Sequence, residues 1–196
     1  AALIMAIDVA RFGDDSTVFG WRQGRDFRSR PMQKFHGLAT TRIVELAIIE
    51  IDKERPDAIV IESTGPGAGV IDQLRDKGYK VIEVHPGSEA HEHTKYFNKR
   101  AELWSLGRDW IMKEGCLPED AELTRELATI LYALDRHEQR IKMEPKAEMK
   151  KRGLKSPDKA DTLMLTFAAR VARRDTSLTR RPKSRTAQSE YDVYAY

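Results

Sequence analysis

Apolar and polar positions alternate in two rhythms along this chain. LIMAIDVA (3–10) is apolar at almost every position and meets its first acid at Asp8. STVFGWRQ (16–23) and DFRSRPMQKF (26–35) follow, with QGRD between them as a tight turn, and all three read as strands. Ile43, Leu46, Ala47 and Ile51 then recur at helical spacing, which predicts a helix over 40–54 with Thr40 or Thr41 as its N-cap. DAIVIE (57–62) is a short continuous apolar run of the kind buried on both faces of a parallel sheet. STGPGAG (63–69) interrupts it, VIDQLRDKG (70–78) is amphipathic, and YKVIEV (79–84) is another short strand. Helices are predicted over 95–115 and 119–132, the second carrying Leu123, Leu127, Ile130 and Leu131, and DRHEQRIKM (135–143) reads as a turn and a strand. The last periodic segment, 156–174, opens with Ser156 as N-cap and Pro157 at the first helical position. Residues 175–196 are polar, basic and without periodicity, and read as a flexible tail.

Three antiparallel strands, a helix and a return to parallel strands is the order of the ribonuclease H-like fold. The expectation is therefore one α/β domain over 1–174, with a central mixed sheet flanked by helices. Composition agrees: 196 residues, 40% hydrophobic and 33% charged, suffice for one buried core. No apolar run reaches the roughly 18 residues a membrane span needs, and no signal peptide is visible. A single cysteine, Cys116, excludes an intrachain disulfide and fits a reducing compartment. The opening AALIMA, without an initiator methionine and already inside a strand, reads as a domain of a longer protein. The net charge of +3 is modest, but residues 142–159 hold seven Lys/Arg against three acids. Such a run either tracks a phosphate backbone or is a solvated face.

The candidate chemistry begins with Asp8, which shares one strand face with Ala2, Ile4 and Ala6, opposite Leu3, Met5, Ile7 and Val9. It stands at the strand's C-terminal end, where open α/β sheets place their sites. Glu62 repeats the arrangement at the end of AIVIE, and if the strands are neighbours the two carboxylates meet at one sheet edge. Asp161 shares a helical stripe with Met164, Leu165, Ala168 and Ala172, which puts an acid on a buried face. Asp158 lies one turn earlier, either as a fourth ligand or as an acid complementing the helix dipole. The three acids are either a metal cluster or three separate salt bridges. As a cluster, hard oxygen donors without histidine or cysteine favour Mg²⁺ or Mn²⁺ over zinc. Two such ions, bridged by Asp8, would support phosphoryl transfer.

Lesser signals surround these. Gly65, Gly67 and Gly69 sit in a strand-to-helix turn whose amides either face a phosphate or merely permit the turn. Lys146, Lys150, Lys151 and Arg152 precede the Asp161 helix as candidate phosphate contacts. HEH (91–93) reads as a solvated loop, and Trp104 and Trp110 as core.

IDVARFGDDSTVF, IVIESTGPGAGVIDQL, FNKRAELW and EPKAEMKKRGLKSPDKADTLMLTFA, in this order over residues 3–172, resemble the C-terminal nuclease domain of tailed-phage large terminase subunits. The resemblance implies a metal-dependent endonuclease that cuts concatemeric viral DNA during packaging in the host cytoplasm. It carries the metal ligands onto Asp8, Glu62 and Asp161, with Asp158 at or near the ligand set and Asp15 in the acidic position after the first strand. It implies double-stranded DNA, an N-terminal ATPase domain, the small terminase subunit and the portal as partners. No GxxxxGK[ST] phosphate loop occurs, so no ATP site is expected in this chain. Thr162 departs from the family pattern, where alanine is common.

Three other readings compete. A resolvase- or transposase-like nuclease would share the metal site but not FNKRAELW with KSPDKAD. An actin-like kinase would need two such domains and about twice the length, and a non-catalytic DNA-binding module would use the acids structurally.

Overall fold

A computed structural model describes residues 1–10, 15–135, 137 and 139–168. β1 (Leu3–Asp8) is buried along its whole length because it is the middle strand of a five-stranded sheet. β2 (Thr17–Gln23) pairs antiparallel with β1, and β3 (Gln33–Phe35) antiparallel with β2. On the other side β4 (Ala58–Glu62) runs parallel to β1, and β5 (Val81–Val84) parallel to β4. The order β3-β2-β1-β4-β5 is the mixed sheet expected from the element order.

Strand parity divides the core in two. Leu3, Met5 and Ile7 face α1 (Thr40–Glu54) and α2 (Pro66–Asp76), packing with Ile43, Ala47, Val70 and Leu74. Ile4, Ala6 and Val60 face α3 (Lys99–Met112), α4 (Ala121–Thr129) and, closest, α6 (Asp158–Leu165). Asp8 and Glu62 continue the second series, so both acids fall on the α6 side. Each fully buried Ile or Leu of these layers contributes about 1.5–3 kcal/mol.

α6 is short, buried and tied down. At its N-terminal end Glu126 of α4 accepts the Ala160 N–H at 2.8 Å. At its C-terminal end Arg22 of β2 donates from Nε to Thr166 Oγ1 (2.7 Å) and from Nη2 to the Thr166 carbonyl (2.8 Å). Thr162 is fully buried, its hydroxyl donating to the Asp158 carbonyl at 2.8 Å. A Cβ on Gly20 of β2 would stand 3.0 Å from its methyl group.

Several boundaries differ from the sequence expectation. β3 is shorter than 26–35, because Asp26 Oδ1 accepts the amides of Arg28 and Ser29 and turns the chain. α1 begins after Ala39 with no side-chain cap, so neither Thr40 nor Thr41 is the N-cap. The helix expected over 119–132 stops at Thr129. Tyr132–Leu134 (β6) instead pairs antiparallel with Ile141–Met143 (β7), a case of tertiary pairing overriding helical periodicity. α5 (Lys146–Lys151) leaves no mark in the sequence pattern, because over six residues only Met149 is buried, too few positions to show a period. In α6 the N-cap is Pro157 rather than Ser156. The expected tail, the boundary at 174 and Ala172 of the Asp161 stripe lie outside the described residues. Among those described, no helix is long and apolar enough to cross a membrane.

Candidate active site

β1 and β4 are in register through Ile7 and Ile61, so Asp8 and Glu62 are each the next residue on adjacent parallel strands. α6 brings Asp161 over the same sheet end. Asp8, Asp15, Glu62, Arg100, Lys146 and Asp161 line one cavity of about 650 Å³. Three acids expected to converge therefore do share a cavity, joined by Asp15, while Asp158 is not among its lining residues.

A lysine stands among them. Lys146 Nζ lies 3.0 Å from Asp161 Oδ2. Its ammonium is held protonated, well above the ordinary lysine range, because attraction by Asp161, Asp8 and Glu62 outweighs the burial that opposes it. Asp161 shows the reciprocal effect. Burial alone would raise it, but Lys146, then Arg100, and a 2.9 Å hydrogen bond from Trp104 Nε1 hold it below the ordinary aspartate value. Asp8 is the uncompensated member: burial pushes its carboxyl well above the usual range, Lys146 only partly offsets this, and Glu62, Asp161 and Asp158 add repulsion.

No three His, Cys, Asp or Glu side chains among the described residues are gathered closely enough to hold a metal between them. The donor chemistry nonetheless fits a hard divalent cation. The acids offer oxygen only, Asp8 is buried where Glu62 and Asp161 oppose its ionisation, and Asp161 Oδ2 already faces a cation, the Lys146 ammonium at 3.0 Å.

The remaining candidates divide. Asp158 Oδ2 accepts the Ser16 N–H at 2.7 Å, which pins the start of β2 to α6 and engages one oxygen of this carboxylate. Lys150 lies 3.6 Å from Asp15, Lys151 2.7 Å from Glu148, and Arg152 Nε 2.7 Å from Glu144, so each basic residue of this run already has an acidic partner. Gly67 answers to packing, since a Cβ there would stand 1.9 Å from the Glu62 carbonyl oxygen, and its N–H is taken by the Thr64 carbonyl. Gly65, at φ 55, is the N-cap of α2 and lines the cavity, whereas Gly69 sits inside the helix with open space around it. The Thr64 hydroxyl donates to Glu62 Oε1 and orients that carboxylate. His91 and His93 are exposed, as a solvated loop requires.

Sequence reading missed the roles of Arg100 and Trp104. The available signal was their i, i+4 spacing within FNKRAELW, and the need of a buried indole N–H for an acceptor.

No family model and no curated protein sequence matches this chain. Solved structures do. The nuclease domain of the large terminase subunit gp2 of bacterial virus Sf6 superposes with a TM-score of 0.72 at 20% identity, over 88% of this chain and 90% of that one. A mutant of that domain, with manganese and beta-thujaplicinol, gives 0.73 at 19% identity over the same shares. The large terminase nuclease from thermophilic phage G20c with bound magnesium gives 0.62 at 16% identity, over 85% of this chain and 80% of that one. The chain has the ribonuclease H-like fold seen in the nuclease domains of phage large terminase subunits.

Proposed function

We propose that this chain is the nuclease domain of a tailed-phage large terminase subunit. In this reading it is a Mg²⁺- or Mn²⁺-dependent endodeoxyribonuclease that cuts concatemeric viral DNA during packaging in the infected host. The observation that supports the reading is that Asp8, Glu62 and Asp161, from two strands and a helix, line one cavity together with Lys146. Two divalent ions held there would activate water and stabilise the leaving 3′ oxygen, so the chemistry needs no protein nucleophile. Asp8, Glu62 and Asp161 would hold the ions, Thr64 would orient Glu62, and Asp15 would stand at the rim as a further carboxylate. Asp158 would act through Ser16, fixing α6 against β2. Lys146 would neutralise the acids until a metal or the substrate phosphate takes over that charge. The ATPase domain, the small subunit and the portal are the partners this assignment implies.

Incubation of supercoiled plasmid with the domain and Mn²⁺ or Mg²⁺, with and without EDTA, tests the proposal. Metal-dependent nicking lost in Asp8→Ala, Glu62→Ala and Asp161→Ala is the expected result. Cutting undiminished in Asp8→Ala, or insensitive to EDTA, would exclude it.

A further inference from the structure

Two side chains on one face of α3 converge on Asp161. Trp104 Nε1 donates a buried hydrogen bond of 2.9 Å to Asp161 Oδ1. One turn earlier, Arg100 Nη2 stands 3.6 Å from the same oxygen. Asp161 Oδ1 is thereby engaged, and Oδ2 is the oxygen that faces the Lys146 ammonium at 3.0 Å. The close approach of the two helices that allows this is built in at Gly107, one turn beyond Trp104, where a Cβ would stand 2.0 Å from Met164 Sδ of α6.

We propose that Trp104 is a positioning residue for metal binding: its indole N–H fixes the Asp161 carboxylate so that Oδ2 is the oxygen presented to a divalent cation. The inference rests on reading Asp161 as a ligand. A carboxylate turns easily about its last bond, because that torsion is broad and nearly two-fold, so an unanchored Asp161 would exchange its two oxygens. An indole suits the task because it donates one hydrogen bond and carries no charge. It orients the acid without competing with the cation, unlike Lys146 and Arg100. Trp104 is only 6% exposed, so its ring is held by packing and its N–H direction is set before any metal arrives. Donors that orient metal ligands in this way typically change metal affinity by about 10–100-fold.

The test replaces Trp104 site-specifically with benzothienylalanine, which keeps the fused-ring shape and exchanges the N–H for sulfur; Trp104→Phe is the genetic companion. Mn²⁺ affinity is measured by titration calorimetry, and folding by thermal unfolding in metal-free buffer. The expected result is a Mn²⁺ affinity about tenfold or more weaker with cooperative unfolding retained, and a fall in kcat at unchanged KM for DNA. Mn²⁺ affinity within threefold of wild type in the analogue, or loss of cooperative unfolding, would overturn the proposal. Absence of Mn²⁺ binding by the wild-type protein is a distinct result, because it removes the ligand reading of Asp161 itself.

Discussion

Lys146 places a single ammonium where the acids of β1, β4 and α6 would otherwise repel one another. Removing it by Lys146→Met leaves Asp161 and Asp8 buried without their main counter-charge. The sign follows from the shifts. Asp161 is depressed in the folded state, so its pairing stabilises above the unfolded value of 3.8 and is lost on acidification. Lys146 is raised, so its contribution persists up to and beyond its unfolded value of 10.5. The pair therefore counts fully near neutral pH, and the variant should lose most stability there and least near pH 3. Breaking a buried pair costs about 3–5 kcal/mol, but the Lys146 side chain is 36% exposed, so a loss of about 1–3 kcal/mol is expected after screening by water. Mn²⁺ should raise the melting temperature of this variant more than that of wild type, which differential scanning fluorimetry reads directly. An equal shift in both proteins would mean that ammonium and metal do not share a site.

At the scale of elements, the site depends on how α2 and α6 meet the sheet. Gly67→Ala drives a methyl group against the Glu62 carbonyl, and backbone on both sides must move. A loss of about 1–3 kcal/mol in urea unfolding is expected, together with weaker cleavage from a displaced Glu62. Glu126, which caps α6 at Ala160, is raised by burial from 4.5 to about 7. A raised carboxyl stabilises the fold in its protonated form, and that contribution is lost as pH rises through the folded value. Glu126→Gln keeps the acceptor and removes the ionisation. It should match wild type near pH 4.5 and exceed its stability by about 1–3 kcal/mol at pH 8, as melting curves at the two pH values would show.

For the whole molecule, the distribution of charge matters more than its net value of +3. Lys151 and Arg152 are spent on Glu148 and Glu144, whereas Lys142 of β7 is exposed at the cavity lip, its Nζ 4.4 Å from the centre of the Phe97 ring. If DNA passes this lip, Lys142→Gln should weaken binding and reduce the slope of log affinity against log salt by about one. Lys151→Gln should leave that slope nearly unchanged, because its neighbouring acid already cancels it. Fluorescence anisotropy across a salt series distinguishes the two, and equal slopes would place the DNA elsewhere.

Local pattern by itself determined β1, β2, β4 and β5 of the central sheet, the α1 and α2 helices, and the strand-end positions of Asp8 and Glu62, but not the extent of β3. Period-two and period-3.6 alternation report which face a residue takes, and an acid closing an apolar strand breaks that pattern visibly. The same reasoning placed Asp161 on a buried helical face. It gave Asp158 the same stripe, yet the structure turns that carboxylate to Ser16, 142 residues away in the chain. Lys146, read as a phosphate contact, pairs with Asp161 in the cavity the acids line, and Trp104, read as core, is hydrogen-bonded to Asp161 across 57 residues. Such partnerships follow from how closely two elements pack. Gly67 and Gly107 set that closeness through the atoms they lack, which only the assembled fold shows.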